Sequence, residues 1–109
     1  MGERDGKGGS AKAMYATVRR YEGVTDPKEA GRLVEEGFVP IISEVPGFVA
    51  YYWVDAGDGV MVSTSVYDDQ SGAEESNSRA ADYVQENLAS LLPNPPQIAA
   101  GEVVAHKSS

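Results

Sequence analysis

The sequence contains no cysteine. Disulfides, thiolate metal sites and a cysteine nucleophile are therefore excluded. It has one histidine, His106, so a histidine-rich metal centre cannot be assembled and no metal site is expected. No apolar run approaches the roughly 20 residues that cross a bilayer, and no membrane partner is expected. Basic residues are few: 9 Lys and Arg stand against 17 Asp and Glu in 109 residues, a net charge of −8. A surface of that sign repels a phosphate backbone, which argues against a nucleic-acid partner. No continuous apolar stretch follows the basic start, so the chain does not read as a secreted precursor and the cytoplasm is the expected location. A glycine-rich phosphate loop at a strand–helix junction, a C-x-x-C pair and an arguable Ser-His-Asp set are all missing, and no cofactor is expected.

What remains is an ordinary globular mixture, 41% apolar and 24% charged, enough for one domain. Residues 1–12, rich in Gly and charge, read as a flexible arm. A single domain is expected over 13–106, with a frayed tail at 107–109. Ala13–Glu22 alternates as a strand. Asp26-Pro27-Lys28-Glu29 is a helix start, with Asp26 as cap and Glu29 completing a capping box. Ala30, Leu33, Val34, Phe38, Ile41, Ile42 and Val45 then form one apolar stripe. Pro40 lies inside it and is expected to kink or split the helix near Gly37.

Phe48–Asp55 and Val60–Tyr67 are strands joined by the turn Ala56-Gly57-Asp58-Gly59. Ser71 and Glu74 have capping-box spacing, and the acidic residues 68, 69, 74 and 75 suit the positive end of a second helix. Its apolar stripe is Ala73, Ala80, Ala81, Val84, Leu88, Leu91 and Leu92. Pro93-Asn94-Pro95-Pro96 ends it, and Ile98–His106 is the last strand. The order βαββαβ is the ferredoxin-like α+β unit: a four-stranded antiparallel sheet with two helices on one face.

Such a sheet leaves one face uncovered. The second strand carries Phe48, Ala50, Tyr52 and Val54 on one face and Val49, Tyr51 and Trp53 on the other, so neither is a solvent face. Covering three or four rings is worth several kcal/mol at roughly 25 cal/mol per Å². A second copy of the same sheet is the simplest cover, which makes a homodimer the expected partner.

Candidate site residues follow. Arg19 and Arg20 point to opposite faces, and Arg19 shares its face with Tyr15, Thr17 and Tyr21. A buried guanidinium needs an anion. That is either an ion-paired carboxylate or a bound enolate, carboxylate or phenolate. Tyr51, Tyr52 and Trp53 form either interface packing or the wall of a flat apolar cavity beside Arg19. Asn77, early in the second helix, either points into a cleft or lies on the helix surface. His106 is either a proton carrier or an exposed strand end.

The order of elements, the Pro46-Gly47-Phe48 motif and the strand-to-helix passage VYDDQSGAEES resemble the dimeric α+β barrel superfamily. Within it the chain is most similar to small antibiotic-biosynthesis-monooxygenase-like proteins, over residues 13–106. The resemblance implies two sheets packed into a barrel, with a ligand cleft in each subunit between sheet and helices. It implies a small-molecule protein whose activity is a cofactor-independent oxygenation of a phenolic or polyketide-like substrate. The alternative is a non-enzymatic homodimeric binder of a small hydrophobic or aromatic ligand, or a purely structural dimer. The haem-degrading branch pairs a helix His with Asn and Trp; Trp53 and Asn77 are present, but no helix carries a His, so haem is not expected. The candidate cleft set is Arg19, Tyr21, Tyr52, Trp53, Asn77 and His106, with catalytic roles unassigned.

Overall fold

A computed structural model of the protein describes residues 13–108; the expected arm at 1–12 lies outside the described residues. Four strands, β1 (Tyr15–Tyr21), β2 (Phe48–Gly57), β3 (Val60–Tyr67) and β4 (Gln97–Glu102), form one sheet. Their order is β2-β3-β1-β4 and every pair is antiparallel. This is the expected ferredoxin-like arrangement, with the helices packed on one face.

The first helical arm starts where the sequence places it. Asp26 caps it by accepting from the Glu29 N–H, and Pro27 opens α1 (Pro27–Leu33). The capping box does not close, because the Glu29 carboxylate turns outward to Arg32. Pro40 cannot donate to the carbonyl one turn back. The chain absorbs this as a wider π-helical stretch, Val34–Phe38, before α2 (Val39–Ile42). The Leu33 carbonyl beside that stretch accepts from the Tyr83 hydroxyl at 3.0 Å. Gly37 is what admits Tyr83: a Cβ there would lie 1.9 Å from the phenolic oxygen.

The second helix, α3 (Gln70–Tyr83), is capped by Asp69 rather than Ser71. The Asp69 carboxylate accepts from the Gly72 N–H and the Ser71 hydroxyl, so Ser71 serves the cap instead of being it. These bonds hold the Asp69 carboxyl below its ordinary range. The helix continues through a second π-helical stretch, Val84–Leu88. Small residues face the sheet, Gly72, Ala73, Ser76 and Ala80, while Ala81, expected in the stripe, is exposed.

The β2–β3 turn has Asp58 and Gly59 both at positive φ, the two-residue geometry that matches strand twist. Ala30, Val34, Phe38 and Ile42 from the first arm meet Leu88, Leu92, Met61 and Tyr67 in the core. β4 stops at Glu102, four residues short of the expected end at His106. Its register pairs Glu102 with Tyr15, the first residue of β1, and after one more bond from Val103 N–H to the Met14 carbonyl no partner strand remains.

The uncovered face differs from expectation in kind. A bulge between Phe48 and Ala50 turns Phe48 to the helix side, where it meets Tyr67 edge-on. The alternation then puts Tyr51 and Trp53 inward as well, packed against the core. One ring, Tyr52, stays on the open face, 62% exposed, beside Val54 at 49%. The rest of that face is mixed: across β1 and β3 Ala16 lies opposite Val66, Val18 opposite Thr64 and Arg20 opposite Val62. No described helix is long and apolar enough to cross a membrane.

Candidate ligand site

Strand alternation sends Thr17, Arg19 and Tyr21 toward the helices. Arg19 faces Ser63 across β3 and Ile98 across β4. On β3 the same face carries Met61, Ser63, Ser65 and Tyr67, all buried. Two serines in place of large apolar residues leave room for the Arg19 guanidinium, which is only 1% exposed. Its Nε donates to Ser63 Oγ at 3.1 Å, Nη2 to Ser65 Oγ at 3.3 Å and Nη1 to Asn77 Oδ1 at 2.5 Å. Asn77 Oδ1 also accepts from the Thr17 hydroxyl at 3.0 Å.

Every partner is neutral. Among the described residues no carboxylate forms an ion pair with Arg19; the ion pairs lie elsewhere, at Arg20–Glu22, Arg32–Glu29, Arg32–Glu36 and Arg79–Glu75. A guanidinium has five N–H groups, and three are used. Arg19 and Asn77 form the polar floor of a cleft of about 320 Å³. Its walls are Ala81, Val84, Gln85 and Ile98, closed at one end by the Pro93–Pro96 loop. With Oδ1 turned to Arg19, the Asn77 Nδ2 group makes no hydrogen bond among the described residues and is left for the cleft. A smaller space of about 140 Å³, between Tyr15, Gln70, Asn77 and Gly101, lies on the other side of Asn77. The chemistry on offer is anion recognition in an apolar slot: one positive charge with spare donors, flanked by an amide.

The other sequence candidates separate from this pair. Tyr21 is 3% exposed and packs on Trp53, ring centres 5.7 Å apart. Burial raises its pKa, partly opposed by the field of Arg19. Tyr51 is raised further, again by burial first and against Arg19. Tyr52 and Trp53 line a different cleft of about 440 Å³, at the β2 edge beside Gly31, Val34 and Glu35. His106 is exposed and lines none of the clefts described here. Ser63 and Ser65 were not singled out from sequence, and Thr17 was named only as sharing the face of Arg19. Their signal was serine in phase with Met61 and Tyr67, a hydroxyl pair at positions where a core strand carries apolar bulk.

No protein-family model and no curated protein matches this sequence. Solved structures do match in fold. A Nitrosomonas europaea protein of unknown function superposes with a TM-score of 0.68 at 22% identity, covering 90% of this chain and 96% of that one. The monooxygenase from the gene ActVA-Orf6 of Streptomyces coelicolor, solved with the ligand nanaomycin D, gives 0.65 at 23% identity, covering 90% and 94%. SnoaB, a cofactor-independent oxygenase from Streptomyces nogalater, gives 0.58 at 16% identity, covering 90% and 97%. At these identities the likeness speaks for the backbone, and over nearly its whole described length the chain has the ferredoxin-like α+β fold of these monooxygenases and their uncharacterised neighbour.

Proposed function

We propose that the protein is an antibiotic-biosynthesis-monooxygenase-like small-molecule protein that binds an aromatic anion on Arg19 and Asn77. One observation carries this reading: a buried guanidinium bonded, among the described residues, only to neutral groups, at the floor of an apolar cleft. Removing a charge from water costs several kcal/mol, and neutral hydroxyls offset this only in part. An anionic ligand supplies the missing countercharge.

The reaction that suits this floor is oxygenation of a phenolic or polyketide-like substrate without a cofactor. Arg19 favours the ionised phenol, whose electron-rich ring reacts directly with oxygen. A ring C–H and the phenol O–H are lost, a quinone carbonyl forms, one oxygen atom is retained and the other leaves as water. The substrate supplies all the electrons. The protein supplies orientation, a dry wall and donors aimed at the anionic oxygen. Oxygen uptake with a panel of naphthols and hydroquinones tests this. Uptake by wild type that Arg19→Ala abolishes supports it, and no uptake with any member refutes the oxygenase.

Non-enzymatic binding of the same anion is the second reading. It is favoured by the lining of the cleft, which includes neither a carboxylate nor an imidazole to take the phenolic proton. In both readings the working unit is a homodimer, with the open face of one sheet against its copy. A chain without cysteine needs no oxidising compartment, and the cytoplasm is its proposed location.

A further inference from the structure

Two observations are left over by that site. The first is the rear cleft at the β2 edge, larger than the Arg19 cleft and lined by Tyr51, Tyr52 and Trp53. The second is a buried hydrogen-bond donor with no partner among the described residues, the indole Nε1 of Trp53. A buried N–H left unpaired costs about 1–3 kcal/mol, so its persistence calls for an explanation.

A narrow void of about 10 Å³ connects the two observations. It shares Val34, Tyr51 and Trp53 with the rear cleft, and Ala80, Val84 and Leu92 with the Arg19 cleft. The first and last residues of both π-helical stretches, Val34, Phe38, Val84 and Leu88, line it. The clefts are thus the two ends of one line between helices and sheet, pinched where both helical arms are already wound loosely. A void of this size holds at most one water, and its apolar lining gives a water too few partners. π-helical turns are frequent at functional sites.

We infer that the two clefts are one binding channel, and that Trp53 Nε1 donates to a ligand passing through the pinch. The ligand class follows from the polar groups along the line. It is a long, flat, mostly apolar molecule, anionic at the end held by Arg19 and Asn77, with a carbonyl or hydroxyl oxygen further along to accept from the indole. Gly31 fits this arrangement: a Cβ there would stand 3.8 Å from the indole Cδ1 and Nε1, so its absence keeps the rear mouth open beside the donor. This inference rests on the anion reading of Arg19, and the test separates the two.

The test compares two probes by calorimetry: benzoate, which fits the Arg19 end alone, and anthraquinone-2-carboxylate, which carries quinone oxygens beyond its carboxylate. Both are expected to bind wild type and to be lost in Arg19→Gln. Gly31→Leu fills the rear mouth and is expected to weaken the long probe about tenfold while leaving benzoate within about twofold. Trp53→Phe, which keeps a ring and deletes the donor, is expected to do the same to a smaller degree, and covers the case in which the leucine disturbs folding. Trp53 is the single tryptophan, so its indole N–H gives one assignable NMR resonance. That resonance is expected to move with the long probe and stay with benzoate. A resonance unmoved by the long probe, or both variants binding it as wild type does, overturns the channel while benzoate lost in Arg19→Gln leaves the anion site standing. Failure of benzoate to bind wild type overturns both.

Discussion

Arg19→Met is the sharpest perturbation, because it separates what the fold needs from what a ligand needs. Methionine keeps much of the unbranched stem and deletes the charge. In the free protein the guanidinium has lost nearly all contact with water and holds no carboxylate among the described residues. Burying an ion costs several kcal/mol. Against this stand three hydrogen bonds, each worth about 1.5–3 kcal/mol for a charged group, one of them long at 3.3 Å.

Ser63 and Ser65 then lose the donor their oxygens accept from, while Asn77 Oδ1 keeps the Thr17 hydroxyl. The two sides offset each other, so Arg19→Met is expected to stand within about 1 kcal/mol of wild type without ligand. For a chain of this length that keeps its Tm within about 4–8 °C of wild type. With an anion at a hundred times its Kd, wild type gains about 2.7 kcal/mol and the variant gains nothing. The gap between the two proteins therefore widens by that amount on adding ligand. Thermal melts of both proteins with and without benzoate read this directly. A variant that melts more than about 8 °C below wild type in the absence of ligand shows that the charge serves the fold. A variant that still shifts with benzoate shows that Arg19 does not hold it. Either result refutes the reasoning.

Gly37→Ala drives a methyl into the Tyr83 hydroxyl and breaks its bond to the Leu33 carbonyl. A loss of about 2–4 kcal/mol in urea unfolding is expected, much reduced when measured in a Tyr83→Phe background. Tyr51 has a raised folded pKa from burial, so the stability it lends as a neutral phenol is intact below about pH 10 and lost as pH climbs past it. Tyr51→Phe should move the alkaline unfolding midpoint upward; a midpoint that stays or falls contradicts this. The Asp69 pKa is lowered by the helix cap, so its contribution is complete above about pH 4 and fades as pH falls below that. Asp69→Ala should lower Tm at neutral pH and change it little at pH 2. Val18→Glu puts a charge in the middle of the open face, opposite Thr64 and Ala99. Wild type should sediment as a dimer and this variant near the single-chain 11.6 kDa; a monomeric wild type ends the dimer reading.

Much of the fold was legible because local signals agreed with one another. Asp26-Pro27, Asp58-Gly59 and Pro93–Pro96 each punctuate the chain with chemistry that admits few conformations. The errors came where one residue's geometry depends on a distant one. The bulge at Phe48 flips a ring to the other face, and pure alternation cannot show it. The end of β4 is set by where β1 begins, which the sequence of β4 does not contain. The kink from Pro40 was visible, but the bond that the Tyr83 hydroxyl of the other helix makes to the Leu33 carbonyl beside it was not.

The site was half legible. The facing rule put Arg19 beside Tyr15, Thr17 and Tyr21. The partner was not legible, since it is two serine hydroxyls and an amide gathered from β3 and α3. Tyr52 and Trp53 looked like its wall because Tyr51, Tyr52 and Trp53 stand in a row on a strand of the same sheet as Arg19. The sheet order instead sets β2 two strands away from β1, on the far side of β3.

The proline loop before β4 has an effect beyond closing one end of the cleft. β4 is an edge strand, exposed along all six residues and uncharged until Glu102. Bare ladder groups of that sort invite a foreign strand to add on. Here an intruder would find outward-facing groups at alternate residues along six positions and then Pro96 and Pro95, which have no N–H to offer. The stiff loop thus limits how long a ladder a neighbouring strand could form at this edge, and the surplus of acidic groups keeps neighbouring copies apart.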